Sequence, residues 1–175
     1  HNSLVILSDG GFITTQFMTW AGGVESTFSG EAKGSLVTWR PGEQPSVMPN
    51  SEMDGPNGIV ISDDERYVYV AAFAASEIVR FDLAQIPMTR DSISLEITPD
   101  NIRWGEPGML LTAGGNTSSD GWSVIEINAD SLETSRIGGM GSSATLQGAS
   151  SALQVDNNIW VGTYSGDRIG YFERE

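Results

Sequence analysis

Cysteine is absent from the 175 residues, which rules out disulfides, thiolate metal sites and cysteine nucleophiles, though it does not fix a compartment. Histidine occurs once, as His1. The serine-rich stretches Ser142-Ser143 and Ser150-Ser151 therefore have no histidine-carboxylate pair nearby and read as turns. Basic residues are scarce: nine Lys and Arg stand against 23 Asp and Glu, for a formal charge of −14 and a pI near 4.2. That balance excludes nucleic acid and acidic lipid surfaces as partners. A bound divalent cation would relieve part of the self-repulsion. No run approaches the ~18–20 apolar residues of a membrane-spanning helix. No secretory leader is visible, and the first residue is His rather than Met, which leaves room for an upstream segment. Helical periodicity of useful length is missing, as are motifs for a phosphate cradle, a zinc site or a serine nucleophile.

What is present is glycine, 21 residues of it, falling between short apolar runs in the manner of an all-β chain with tight turns. Hydrophobic residues at 39% and charged residues at 18% suit one globular domain over 1–175. The clearest stretch is Gly55-Pro56-Asn57-Gly58 followed by Ile59–Ser62, the charged turn Asp63–Arg66, Tyr67–Phe73 and Ser76–Leu83. It predicts a Pro-Asn-Gly turn and three consecutive antiparallel strands. The same order of Asn, strand, turn and strand opens the chain, with Asn2, Leu4–Leu7, Ser8–Gly11 and Phe12–Phe17. Residues 18–33 read as a long loop on the rim. Ser35–Trp39 and Pro45–Met48 are two more strands, and Ile93–Ile97 is a fourth, outer strand after Leu83–Arg90. Asp100-Asn101 restarts the pattern, with strands at Met109–Ala113, Trp122–Ile127 and Ser131–Ile137 and a loop at Gly114–Gly121, of which Thr117–Asp120 faces solvent. Leu146-Gln147-Gly148 leads into Ser151–Val155, Asn158–Thr163 and Arg168–Glu173.

Asn2, Asn57, Asn101 and Gly148 recur at intervals of roughly 45 to 55 residues, and discounting the long loop at 18–33 evens the spacing. Four short strands per repeat at that period predict a β-propeller. A β-sandwich would give turn signals without repeating an Asn at the strand start. The repeats divide the chain into blades of about 1–50, 57–98, 100–139 and 147–175, the last with three strands. Too few blades are present to close a ring. The expected arrangement is the C-terminal part of a longer propeller, whose N-terminal blades complete it.

Pro56-Asn57-Gly58-Ile59-Val60-Ile61-Ser62, Tyr67-Val68-Tyr69-Val70-Ala71 and Ala74-Ala75-Ser76-Glu77-Ile78 resemble a blade of the paraoxonase/arylesterase proteins. Those belong to the wider six-bladed gluconolactonase (senescence marker protein) and strictosidine-synthase-like propellers. Asp100-Asn101-Ile102, Leu146-Gln147-Gly148-Ala149-Ser150 and Trp160-Val161-Gly162-Thr163-Tyr164 are similar to the same family in the same order, from His1 to about Phe172. The resemblance implies a catalytic Ca2+ in a central tunnel, with Asn2, Asn57, Asp100 and Asn101 at ligand positions. Calcium takes about six to eight oxygen ligands, and amide and carboxylate oxygens from radially arranged strands can supply them. Taken singly, Asn57 is a turn residue, Asp100 and Asn101 cap a turn, and Asn2 is a terminal residue. The family's glutamate ligand from an earlier blade has no counterpart here. Ser3 stands where the family places an Asp ligand of a second, structural calcium, so that second site is not expected. Gly114-Gly115-Asn116 stands where paraoxonases carry a tunnel histidine. His1 beside Asn2 is either a proton-transfer group or simply a residue packed at a strand start.

The implied function is calcium-dependent hydrolysis of lactones or aryl esters, with the metal polarising the carbonyl that water attacks. The apolar Met18, Trp20 and Phe28 of the rim are then candidates for substrate contact. The alternative is a non-catalytic propeller, pinned by calcium, that binds a small ligand or a protein. A strictosidine-synthase-like condensation needs a tunnel carboxylate, and none lies at a matching place. The resemblance alone implies a periplasmic or secreted location.

Overall fold

The computed structural model describes residues 1–18, 23–30, 33–140 and 146–174. They form four antiparallel sheets, each a meander in which successive strands are neighbours. The first contains β1 (Leu4–Ile6), β2 (Phe12–Gln16), β3 (Ser35–Trp39) and β4 (Ser46–Val47). The second contains β5 (Pro56–Ile61), β6 (Tyr67–Ala72), β7 (Glu77–Asp82) and β8 (Thr89–Ser94). The third contains β9 (Ile97–Trp104), β10 (Met109–Asn116), β11 (Trp122–Asn128) and β12 (Thr134–Met140). The last has three strands: β13 (Ala149–Val155), β14 (Asn158–Thr163) and β15 (Gly170–Glu173). The protein is all-β, and its sheets are the blades of a β-propeller.

The period of two along each strand explains how the blades stack. In β6, Val68 and Val70 point to the first sheet and join Leu7, Ile13, Leu36, Ile59 and Phe81. Tyr69 and Ala71, the alternate residues, point the other way, onto Ile97, Ile102, Leu110, Ile125 and Ile127 of the third sheet. In β10 the neighbour of Leu110, Leu111, turns to the last sheet with Ala113 and Val124, and meets Ala149, Ala152, Ile159 and Val161. The two middle sheets are thus covered on both faces, which is why their strands read as unbroken apolar runs. Each large side chain buried here contributes about 1.5–3 kcal/mol relative to exposure. The two outer sheets each keep one uncovered face. Leu4 and Ile6 lie exposed on the first, and Leu153, Trp160 and Tyr171 are exposed at paired positions on the last.

Polar contacts tie neighbouring sheets at the opposite end from the strand starts. Tyr69 donates its hydroxyl to the Ala129 carbonyl at 3.1 Å, and the Trp104 indole donates to the Ile61 carbonyl at 3.0 Å. Arg174 Nη1 lies 2.6 Å from Oε1 of the buried Glu126, joining the third sheet to the end of the last.

Several local expectations are corrected. Pro56-Asn57-Gly58 is the start of β5 and not a turn, and β9 begins at Ile97. The outer strand of the second sheet is Thr89–Ser94 instead of Ile93–Ile97. Its mostly charged and polar side chains are exposed, as befits an edge strand, so it carries no apolar alternation. Gly114–Asn116 extends β10, and the loop starts after it. Ser150-Ser151 lies in β13 rather than in a turn. Residues 18–33 contain the short helix α1 (Gly23–Phe28). Trp20 and Ser142-Ser143 lie outside the described residues.

Candidate cation site

The first strands of the sheets, β1, β5, β9 and β13, lie side by side. Near the start of each, the ladder is interrupted at the same place. In the second sheet Pro56 pairs with Ala72 and Ile59 with Val70, so Asn57 and Gly58 together face Ala71. In the third, Pro99 pairs with Gly114 and Ile102 with Thr112, leaving Asp100 and Asn101 opposite Ala113. In the last, Ala149 pairs with Thr163 and Ser151 with Gly162, which makes Ser150 the extra residue. In the first, Asn2 donates its N–H to the Thr15 carbonyl while Thr15 donates its own to Ser3, each at 2.9 Å. Each interruption is a β-bulge, which bends the strand and re-aims side chains out of simple alternation. The four residues expected at the site all stand at these bulges.

Glycine permits the close approach of two of these strands. A Cβ on Gly58 would lie 2.5 Å from the Ile102 nitrogen and 2.7 Å from the Asn101 Cα. With only hydrogen at that position, the bulge of β5 presses directly against that of β9. Asn57 is consequently buried, and its amide lies beside the Asp100 carboxylate. Burial pushes the Asp100 carboxyl above the ordinary aspartate value, and the polar Asn57 amide nearby only partly offsets this. Asn57 Oδ1 is left buried without a hydrogen-bond donor. Such an acceptor costs about 1–3 kcal/mol if nothing satisfies it. Asn101 donates Nδ2 to the Ser150 carbonyl at 3.0 Å, which turns its Oδ1 away from that partner. Its own carbonyl accepts the Thr112 hydroxyl at 2.8 Å.

The donor set fits a hard divalent cation: an orphaned amide oxygen, a carboxylate beside it, and a second amide whose nitrogen end is committed elsewhere. Asn2 is exposed at the matching bulge, and His1, also exposed, precedes it. Among the described residues no three His, Cys, Asp or Glu side chains cluster, so the set depends on amides around one carboxylate. Ser3, at the position of the absent second-site Asp, engages Thr14 and Thr15 through its backbone. In the Gly114-Gly115-Asn116 segment, Asn116 accepts the Ser123 hydroxyl at 2.6 Å and donates to Ser119 at 3.2 Å.

Aromatic side chains flank the start of β5. Phe17 and Phe28 pack against Phe73 with ring centroids 6.2 and 5.9 Å apart, and the Phe17 ring also closes over Gly55. Phe28, on α1, remains 58% exposed, which leaves an apolar surface beside Phe73. Lys33 pairs with Asp54 at 2.9 Å on the same rim. The sequence reading missed Ser150, Thr15 and Thr112. Serine and threonine beside a turn-like motif carry no signal that separates a bulge partner from a solvent-facing hydroxyl.

No protein-family model and no curated protein matches the chain. Solved structures do. The periplasmic gluconolactonase PpgL of Pseudomonas aeruginosa superposes with a TM-score of 0.67 at 11% identity, covering 99% of this chain and 50% of that one. An oligogalacturonate lyase in complex with manganese gives 0.65 at 9% identity, with coverage of 99% and 50%. A streptogramin B lyase gives 0.58 at 13%, with coverage of 98% and 53%. The likeness shows the propeller fold, and the chain spans about half the length of the solved structures it matches.

Proposed function

We propose that the chain contributes the cation ligands of a calcium-dependent hydrolase of lactones or aryl esters. The observation that carries the reading is Asn57 Oδ1, buried without a donor beside a half-buried Asp100. Asn57 Oδ1, the Asp100 carboxylate, Asn101 Oδ1 and Asn2 would hold the ion. A bound Ca2+ supplies Lewis-acid polarisation of a substrate carbonyl and stabilises the charge that develops there. The protein's own residues set the conditions. Asp100 provides a single negative charge among neutral amides, the bulges fix the oxygens, and burial of Asn57 keeps competing water off its oxygen. The Phe17, Phe28 and Phe73 rings offer an apolar wall for the non-reacting part of a substrate. A lactone-hydrolysing neighbour by name, and another crystallised with manganese, support the reaction class and the need for a divalent ion.

The uncovered faces of the first and last sheets support the view that further blades of the same ring pack there. The periplasmic neighbour supports an exported location. A second reading, in which the calcium only pins a binding propeller, is favoured by Gly114-Gly115-Asn116, which offers no imidazole for proton transfer. The purified protein should hydrolyse an aliphatic lactone or phenyl acetate with Ca2+, and lose the activity with a chelator or as Asn57→Ala. Unchanged turnover under either treatment would rule out catalysis through this cation site, and no turnover at all would rule out the hydrolase reading. Calcium stabilisation without turnover selects the second reading.

A further inference from the structure

Thr15, near the end of β2, is fully buried, and its hydroxyl reaches two different sheets. Oγ1 accepts the Ser3 N–H at 3.0 Å and donates to the Asn57 carbonyl at 2.7 Å. The Ser3 carbonyl lies farther from the same oxygen, at 3.3 Å, so the single hydroxyl proton goes to Asn57. The Thr15 backbone holds the Asn2–Ser3 bulge from the other side, through the two 2.9 Å bonds to Asn2 and Ser3. One residue therefore connects the bulge carrying Asn2 to the bulge carrying Asn57. The residues facing the bulges of the second and third sheets are Ala71 and Ala113, which have no hydroxyl.

We propose that Thr15 is a positioning residue for the cation site, its hydroxyl setting the separation of the Asn2 and Asn57 main chains and hence the affinity for a divalent cation. This rests on the assignment of Asn2 and Asn57 as ligands. An asparagine side chain is short, so its amide oxygen goes where the backbone takes it. Outer-shell partners of this kind commonly change metal affinity by about 10–100-fold. Thr14, the adjacent residue, supplies a matched control. It too is buried, and its hydroxyl donates to the Ser3 carbonyl at 2.8 Å, within its own sheet.

The test is the calcium dissociation constant, measured by calorimetry and by terbium luminescence, alongside circular dichroism and Tm for each variant. Thr15→Val keeps the shape but leaves the Ser3 N–H and the Asn57 carbonyl without their partner. It should weaken calcium binding about 10-fold or more, whereas Thr15→Ser and Thr14→Val stay within about threefold of the wild type. Thr15→Ala replaces Thr15→Val in the comparison if the valine variant does not fold. Wild-type affinity in the valine or alanine variant, with a lowered Tm, reduces Thr15 to a structural role and overturns the proposal. Equal weakening by Thr14→Val overturns it as well, because the bridge to Asn57 would then not matter. A wild-type protein that binds neither calcium nor terbium removes the site assignment itself, and this proposal with it.

Discussion

Replacing Asn57 by alanine separates the cost of the site to the empty fold from its value to the loaded one. In a chelator, the wild type carries the buried, donorless Oδ1, worth about 1–3 kcal/mol of destabilisation. Asn57→Ala removes that burden but also removes the polar amide beside the Asp100 carboxylate, a contact worth about 0.5–1.5 kcal/mol. The two partly cancel, so the chelated variant should lie within about 2 kcal/mol of the chelated wild type, a shift of a few degrees in Tm. With calcium at about 100 times its dissociation constant the wild type gains about 2.7 kcal/mol, and the variant should gain almost none. Thermal and urea unfolding of both proteins, with chelator and with calcium, read all four values. A loss above about 4 kcal/mol in the chelator would mean that Oδ1 is well satisfied in the empty protein. Calcium stabilisation persisting in Asn57→Ala would place the ion elsewhere. Either result refutes the reasoning.

Three further outcomes follow from the same contacts. Arg174→Ala should destabilise the protein by about 3–5 kcal/mol in urea unfolding, because Glu126 Oε1 is buried and has no hydrogen-bond donor beside this ion pair. A change under 1 kcal/mol would show the pair to be dispensable. Gly58→Ala should cost about 1–3 kcal/mol and weaken calcium binding together, since its Cβ would force β5 away from the Asn101 and Ile102 backbone. A variant as stable and as tight-binding as the wild type contradicts that close approach. The raised Asp100 carboxyl gives a pH signature. A proton there favours the folded state, so its stabilising effect is present at low pH and fades as pH rises through the raised folded-state value. Calcium needs the carboxylate instead, so the calcium-induced rise in Tm should grow with pH across the weakly acid range. Asp100→Asn should flatten that dependence, and an unchanged slope would contradict the assignment.

The blade pattern was legible because each strand of the meander is short and set off by a turn with its own chemistry. The charged Asp63–Arg66 turn separates paired strands as expected. The strand boundaries depart from the sequence pattern for one physical reason. A glycine required for close approach looks the same in sequence as a glycine required for a turn. Gly58 is needed because β9 lies against it, and a Cβ at Gly114 would run into the Thr98 carbonyl. The helix Gly23–Phe28 was invisible because six residues do not establish a period of 3.6. Asn57, Asp100 and Asn101 could be named as a set from their order and resemblance. That Asn57 sits beside Asp100 and keeps an orphaned oxygen depends on the packing of two bulges, which no local pattern encodes.

The central claim is that one cation is shared between the bulges of β5 and β9. Anomalous scattering from crystals grown with manganese or calcium tests it most directly. A single peak within coordination distance of Asn57 Oδ1 and the Asp100 carboxylate is the predicted result. A peak bound only by surface carboxylates, with Asn57 Oδ1 still unpartnered, would contradict it.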